Sequence, residues 1–347
     1  MSFIIGFTLR WLLKSYLLAK LAIVVRRWLV KKYALEKNFK QTESDEKVRW
    51  TDIHWYANLA ANVYKSKEKI IAAYDEDFDL YINEINEIRY IVLTNESSKS
   101  HYVSIRGTAN SHNAMQDINF FKDKSKRLRI YIHTGFHRTS EMIADDLLSR
   151  LKEDYKVCVT GHSLGGADAV IVSWYLDYAN FNVKECITFG QPKVTDSHGI
   201  RAMRDKIKLT RVVNETDVVP LVPPTGTHRH RYAHIGTMVK LLDDGKYCHL
   251  QEPDSLNFGV NSFWLFAARE SFSFYEIGKE LPDHYMTSYL SNMKLCASNK
   301  TGEVLWKDRL QYISHEGMLG EFGKKKKKEK KNGRRNSRKK EKKRKSW

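Results

Sequence analysis

The residues best suited to covalent chemistry stand in one stretch, VCVTGHSLGGADAV, from Val157 to Val170. Its centre is Gly161-His162-Ser163-Leu164-Gly165, a G-x-S-x-G pattern. Val157–Thr160 before it reads as a short buried strand of β-branched type, and the run after it as a helix to about Tyr178. A serine on so sharp a strand-to-helix turn exposes its hydroxyl at the cost of a strained backbone. Side chains at Gly161 or Gly165 would collide with the flanking strand and helix. The helix behind Ser163 offers free N–H groups and the positive end of its dipole to a developing oxyanion. The chemistry implied is attack of the Ser163 hydroxyl on a carbonyl carbon. The plain alternative is an ordinary glycine-rich turn.

A serine hydroxyl is a weak nucleophile until a histidine takes its proton, and that histidine needs an acid to fix its tautomer. When such a turn opens an α/β-hydrolase site, the chain order is nucleophile, acid, histidine. Asp217 follows the strand-like run Leu209–Val213 and is the leading acid, with Glu215 and Asp196 as competitors. His228, His230, His234, His249, His284 and His315 all satisfy the order. His284 opens a helix after a loop, where a base can point into a cleft, whereas His234 lies in a strand-like run and reads as structural. Order alone leaves the histidine open.

The elements that must position these groups alternate. Asp52–Tyr64 reads as an amphipathic helix, and Ile88–Thr94 with His101–Ile105 as two strands of a hairpin. Residues 109–126 are polar with few structure signals. Leu128–Ile132 reads as a strand, followed by a helix from about Arg138 to Lys152. Cys186–Phe189 and Leu209–Val213 are further strands, and Asp283–Met293 a last helix with Asp283 as its N-cap. This alternation predicts an α/β class: a mostly parallel central sheet with helices on both faces. Residues 258–275, with seven aromatics, read either as a cap over an acyl pocket or membrane-docking face, or as core helix.

Charge is concentrated at the ends. Of the formal net charge of +18, residues 324–347 contribute 16 Lys/Arg against 2 Glu, and residues 1–32 contribute seven Lys/Arg and no acid. The intervening body is slightly acidic. Residues 3–30 are apolar but broken by Arg10, Lys14, Lys20, Arg26 and Arg27, too often for a standard spanning helix of about 20 residues. On a helical wheel Arg10, Lys14, Lys20, Arg27 and Lys31 share one arc of about 140°. That suits a helix lying in a membrane interface with Trp11, Tyr16 and Trp28 at headgroup depth. A signal-anchor span and a helix packed on the body are the alternatives. The organisation expected is a membrane-seeking segment over 1–32, a charged linker over 33–50, a catalytic body over 51–323 and a disordered polybasic tail over 324–347. The basic ends suit an anionic membrane surface, on the cytoplasmic side inside the cell. The tail lacks the interleaved aromatics that specific nucleic-acid readout needs. The four cysteines are scattered, which suggests free thiols rather than a disulfide framework. Nothing in the sequence signals an oligomeric state.

Eight stretches together resemble the class 3 lipase family, the fungal lipase-like α/β hydrolases, over roughly residues 51–295. They are YANLAANVY (56–64), RGTAN (106–110), HTGFH (133–137), VTGHSLGGA (159–167), TFGQPKVTD (188–196), VVNETDVVPLVPP (212–224), RYAHIG (231–236) and DHYMTSYL (283–290). The resemblance implies an α/β-hydrolase fold, a triad of Ser163, Asp217 and His284, and oxyanion donors from Thr108 and the Leu164 N–H. A triad of this kind needs no metal or cofactor, and the membrane-seeking ends make a membrane acylglycerol or phospholipid the expected substrate. A soluble-ester or polysaccharide esterase, and a non-catalytic membrane tether on the same fold, are the alternatives. Two departures stand out. Asp168 follows GHSLGGA where the family usually has an apolar residue, and it is expected to face solvent or pair with a cation. The lid region near 109–117 reads ANSHNAMQD, more polar than usual, although Asp117 matches the acid that closes that motif.

Overall fold

The computed structural model describes residues 44–108, 121–215, 217, 219–223, 232–251 and 282–312. The expected membrane-seeking segment, the lid region with Asp117, the aromatic stretch 258–275, His228, His230, His315 and the polybasic tail lie outside these residues. Among the described residues, no helix is long and apolar enough to cross a membrane.

An eight-stranded sheet forms the centre, in the order β1-β2-β3-β6-β7-β9-β11-β12. Its middle is parallel: β3 (Ser100–Ile105), β6 (Lys156–His162), β7 (Asn182–Phe189), β9 (Leu209–Asn214) and β11 (Thr237–Leu241). The edges are antiparallel: β1 (Asp79–Ile85) and β2 (Ile88–Asn95) on one side, β12 (Tyr247–Leu250) on the other. The expected hairpin of β2 and β3 is present, and the sequence reading missed β1, β11 and β12. These carry Asn, Glu, Lys and His among their apolar residues, which breaks the apolar run that marks a buried strand. A smaller sheet holds β4 (Lys122–Lys124), β5 (Tyr131–His133), β8 (Thr195–Asp196) and β10 (Tyr232–Ala233).

Both faces of the large sheet are covered, which is why β6 has no polar alternation. Val157 and Val159 face one way, into a core with α3 (Thr134–Leu148), α4 (Leu164–Tyr178) and α5 (Ser197–Met203). Cys158 faces the other way, against α1 (Trp50–Asn62) and α6 (Met286–Ser298). The short α2 (Lys67–Tyr74) packs with α1 over the β2 side. α4 lies within the fold along most of its length: every residue from Gly165 to Leu176 is buried. All four cysteines are buried free thiols.

Three boundaries differ from the sequence reading. The strand expected at Leu128–Ile132 begins only at Tyr131, because Ser125 and Ile130 close a tight turn in which Arg129 has φ +56°. The helix expected from Arg138 begins at Thr134: the His133 ring caps it by accepting from Gly135 N–H at 3.1 Å. Asp283 is not an N-cap. Pro282–His284 form a single 3-10 turn, and Tyr285 occupies the cap position of α6 without a side-chain bond. The last part of the expected linker is docked, with Ser44 N–H donating to the His249 carbonyl and the Arg49 guanidinium to Glu185.

Candidate active site

The site lies where the parallel strands end, the usual place for ligand chemistry in an open α/β sheet. β6 runs into Ser163, whose φ of 59° and ψ of −129° are costly for a residue with a Cβ. Two features hold that turn. Ser163 N–H donates to the Phe189 carbonyl on β7 at 2.9 Å, and α4 starts at the next residue. The glycines allow the approach: a Cβ on Gly161 would lie 2.2 Å from the Gly165 carbonyl oxygen, and one on Gly165 would lie 2.2 Å from that of Ile105. No shift of a side chain could relieve either clash, because both involve backbone.

The three residues expected to act together are brought together. His284 Nε2 is 2.7 Å from Ser163 Oγ, and His284 Nδ1 is 2.9 Å from Asp217 Oδ2. Because the carboxylate only accepts, Nδ1 carries the proton and Nε2 is left with a lone pair facing the Ser163 hydroxyl. All three are buried, at 1%, 4% and 1% exposure for Ser163, Asp217 and His284. The competing acids are engaged elsewhere. Glu215 pairs with Lys240 at 2.8 Å, and Asp196 caps α5 and pairs with Lys122 at 3.1 Å. Of the other histidines, His249 sits on edge strand β12, and His234 donates from Nε2 to the Pro220 carbonyl at 2.7 Å. Burial and the nearby Arg211 and Lys193 charges hold His234 well below its ordinary pKa, so it serves the loop as a neutral ring.

Residues that the sequence reading did not single out complete the support. Tyr289 on α6 donates to Asp217 Oδ2 at 2.6 Å, and its oxygen accepts from Asn214 N–H at 3.2 Å. Burial and the carboxylate push the Tyr289 phenol well above its usual pKa, so it stays a donor. Asp217 Oδ1 accepts from Val219 N–H at 2.9 Å. The Asn214 amide donates to the Asp283 carbonyl at 2.7 Å, which ties the histidine loop to the end of β9. That tie, together with the bonds on the His284 ring, explains why the chain at 283 cannot start a regular helix. The buried Lys193 amine donates to the Leu221 and Pro223 carbonyls, and its N–H to that of Val222, so the loop after Asp217 is strapped from below. Burial lowers Lys193 to about 7. The signal for Tyr289 was the apolar stripe Met286, Tyr289, Met293, Cys296, which reads as core and is core. Only its hydroxyl target was invisible.

On the oxyanion side, Leu164 is the first residue of α4, and its N–H has no acceptor within the helix. Thr108 follows Gly107 beyond the end of β3, where a Cβ on Gly107 would lie 3.2 Å from Ser163 Cβ. Gly107, the residue before Thr108, therefore lies against the Ser163 side chain, and Leu164 follows Ser163 directly. Asp168 does not face solvent as expected. It is buried in α4, accepts from Ser140 Oγ on α3 at 2.7 Å, and is pushed up to about 7 by burial.

Similarity to known proteins runs through the same elements. Residues 102–227 match the family model for lipase (class 3). A lipase of Rhizopus niveus is 32% identical over 145 residues, which is 38% of this chain and 37% of the relative. A lipase of Rhizomucor miehei is 27% identical over 195 residues, half of this chain and 54% of the relative. The chain thus aligns with little more than a third to a half of the length of these relatives. The structure of lipase II from Rhizopus niveus superimposes with a TM-score of 0.54 at 22% identity, over 62% of this chain and 91% of that one, a likeness of fold. The G-x-S-x-G turn and the parallel strands beneath it thus lie within the stretch, residues 102–227, that is similar to lipase (class 3).

Proposed function

We propose that this protein is a serine ester hydrolase of lipase type. The observation that carries the reading is the buried line Ser163 Oγ, His284 Nε2, His284 Nδ1, Asp217 Oδ2, with spacings of 2.7 and 2.9 Å across the imidazole. Ser163 Oγ attacks the ester carbonyl as its proton passes to His284 Nε2. Asp217, held by Tyr289 and the Val219 N–H, stabilises the imidazolium that results. The N–H groups of Leu164 and Thr108 meet the oxyanion of the tetrahedral intermediate. The imidazolium then protonates the departing alkoxide. Water, deprotonated by the same nitrogen, releases the carboxylic acid and restores Ser163. The chain supplies the nucleophile, the base and the oxyanion donors, and water is the second reactant.

The substrate is a lipid ester, an acylglycerol or phospholipid, taken from a membrane or a dispersion. The support is the similarity to class 3 lipases and the two basic ends, of which the first is also apolar. Each Lys or Arg near an anionic leaflet adds about 1 kcal/mol of attraction, so the tail alone can hold the protein at such a surface, on the cytoplasmic face. Ser163→Ala is expected to abolish p-nitrophenyl ester hydrolysis and fluorophosphonate labelling while leaving the fold intact. Residual hydrolysis above about 1% of wild type would assign the nucleophile elsewhere. For the surface, co-sedimentation with phosphatidylserine vesicles is expected to exceed that with phosphatidylcholine and to be lost when 324–347 is deleted; equal binding to both overturns the electrostatic part.

A further inference from the structure

His162, the residue before the candidate nucleophile, has both ring nitrogens engaged, and neither contact belongs to the reaction described above. Its Nε2 lies 2.6 Å from the backbone carbonyl of His284. A carbonyl only accepts, so Nε2 carries the proton. The ring is buried, and burial together with the neighbouring His284 holds it well below its ordinary pKa. It is therefore neutral, and its Nδ1 is a bare acceptor. Tyr64, beyond the end of α1, places its hydroxyl 3.0 Å from that Nδ1 and must donate to it. The same hydroxyl oxygen accepts from the Gly107 N–H at 3.0 Å. Gly107 is spaced for this contact: a Cβ there would lie 2.6 Å from Tyr64 Oη and 2.6 Å from the His162 carbonyl oxygen.

We infer that Tyr64 and His162 form a positioning relay, Gly107 N–H to Tyr64 Oη–H to His162 Nδ1, then His162 Nε2–H to the His284 carbonyl, that fixes the oxyanion strand and the general base to one another. Resting on the ester-hydrolase reading, this adds two residues that touch no substrate atom yet set the distance between the groups that do. The Gly107 N–H only donates and the His284 carbonyl only accepts, and the His162 carbonyl, 3.5 Å from Tyr64 Oη, is a longer alternative to Nδ1 at 3.0 Å, so the direction of the relay follows. Protonating His162 would reverse the Tyr64 bond, because Nδ1 would then donate. It would also place a second cation beside His284, whose ring centroid is 4.6 Å from that of His162 with the planes tilted by 34°. A neutral ring there leaves the transient imidazolium of His284 unopposed.

The relay is tested on the full-length protein by two independent measurements. Nitrogen-15 spectra of the histidine side chains are expected to show His162 as the Nε2–H tautomer and neutral from pH 5 to 9, at any level of activity. Tyr64→Phe should move the His162 Nδ1 resonance toward that of an unbonded acceptor. An Nδ1–H tautomer, a titration near the ordinary histidine value, or an unmoved resonance in Tyr64→Phe overturns the relay even in an active enzyme. Kinetically, Tyr64→Phe should lower kcat about tenfold, the rate equivalent of one buried hydrogen bond, with KM within about twofold. His162→Gln keeps a donor near Nε2, whereas His162→Leu keeps none, so Gln should retain more activity than Leu. Because both residues act through one chain of bonds, Tyr64→Phe combined with His162→Leu should cost clearly less than the product of the single losses. Multiplicative losses, or Leu equal to Gln, overturn the proposal. A wild type that hydrolyses no ester sinks the functional reading instead, and leaves the spectroscopic test of the relay standing.

Discussion

Ser163 stands on a turn whose shape is set within VTGHSLGG, whereas His284 reaches it from 121 residues away and Asp217 meets that histidine across 67. The two halves of the site are held by different forces. On the nucleophile side the restraint is steric: backbone at Gly161, Gly165 and Ile105 in contact with nothing between, and a residue with φ of 59° that the flanking strand and helix keep in place. On the acid–base side the restraint is polar: hydrogen bonds from Tyr289, Asn214, Val219 and Lys193 hold two loops that have little regular structure of their own. A steric restraint fails all at once when violated, because interiors are packed too densely to yield. A polar restraint fails by degrees, one bond at a time. The relay of Tyr64 and His162 is the seam between the two halves.

This contrast can be broken most severely on the steric side. Gly165→Ala places a methyl 2.2 Å from the Ile105 oxygen and 2.6 Å from the Arg106 carbonyl carbon. The expected loss is more than about 4 kcal/mol, seen as no soluble protein or a Tm lowered well beyond ten degrees. A Gly165→Ala protein that melts like wild type would show that the elbow is not sterically set. On the polar side, Tyr289→Phe removes the donor at 2.6 Å from Asp217 and the acceptor of Asn214 N–H. Stability is expected to fall by only about 1–2 kcal/mol, and kcat by about tenfold with KM little changed. A loss of kcat as complete as that of Ser163→Ala would mean that the polar half is no more graded than the other.

A pH-dependent effect sharpens the comparison outside the reacting groups. Asp168 is buried between α4 and α3, and its carboxyl is pushed up to about 7 from an ordinary value of 3.8. Between those values the folded protein holds a proton that the unfolded chain has lost. The contribution of that proton is therefore complete below the unfolded pKa and is lost as pH rises through the folded one. Asp168→Asn, which cannot ionise, should gain in Tm relative to wild type as pH rises from 4 to 7, with the difference levelling off above that. A difference that is flat from pH 4 to 8 would show that Asp168 is charged in the fold. At this position the expectation of a solvent-facing acid failed for a plain reason. α4 is covered on all sides around Asp168, and its sequence cannot reveal that Ser140 waits on the next helix.

Legibility followed the range of the interactions. The strand, turn and helix around Ser163 could be read directly, because the G-x-S-x-G spacing and the apolar runs beside it act on neighbouring residues. The alternation of β6, β7 and β9 with helices was enough to predict a parallel sheet covered on both faces. Strands such as β1 and β11 were missed, since their mixed composition resembles that of loops. Asp217 and His284 were candidates by chain order, but Glu215, Asp196 and several histidines shared that order. Resemblance to a family chose among them where local chemistry could not.

The amino-acid sequence by itself determined the elbow, the class of fold and the inventory of groups able to take part in acyl transfer. These depend on backbone sterics and on hydrophobic period, which operate over a few residues at a time. Tertiary structure decided what local chemistry had left open, which acid and which histidine meet the serine, and it alone showed that Tyr289 bonds Asp217 and that Tyr64 and His162 lie between the two sides. A hydrogen bond is directional and reaches only about 3 Å, so its partner is fixed by the packing of distant segments and cannot be inferred from the identity of either residue.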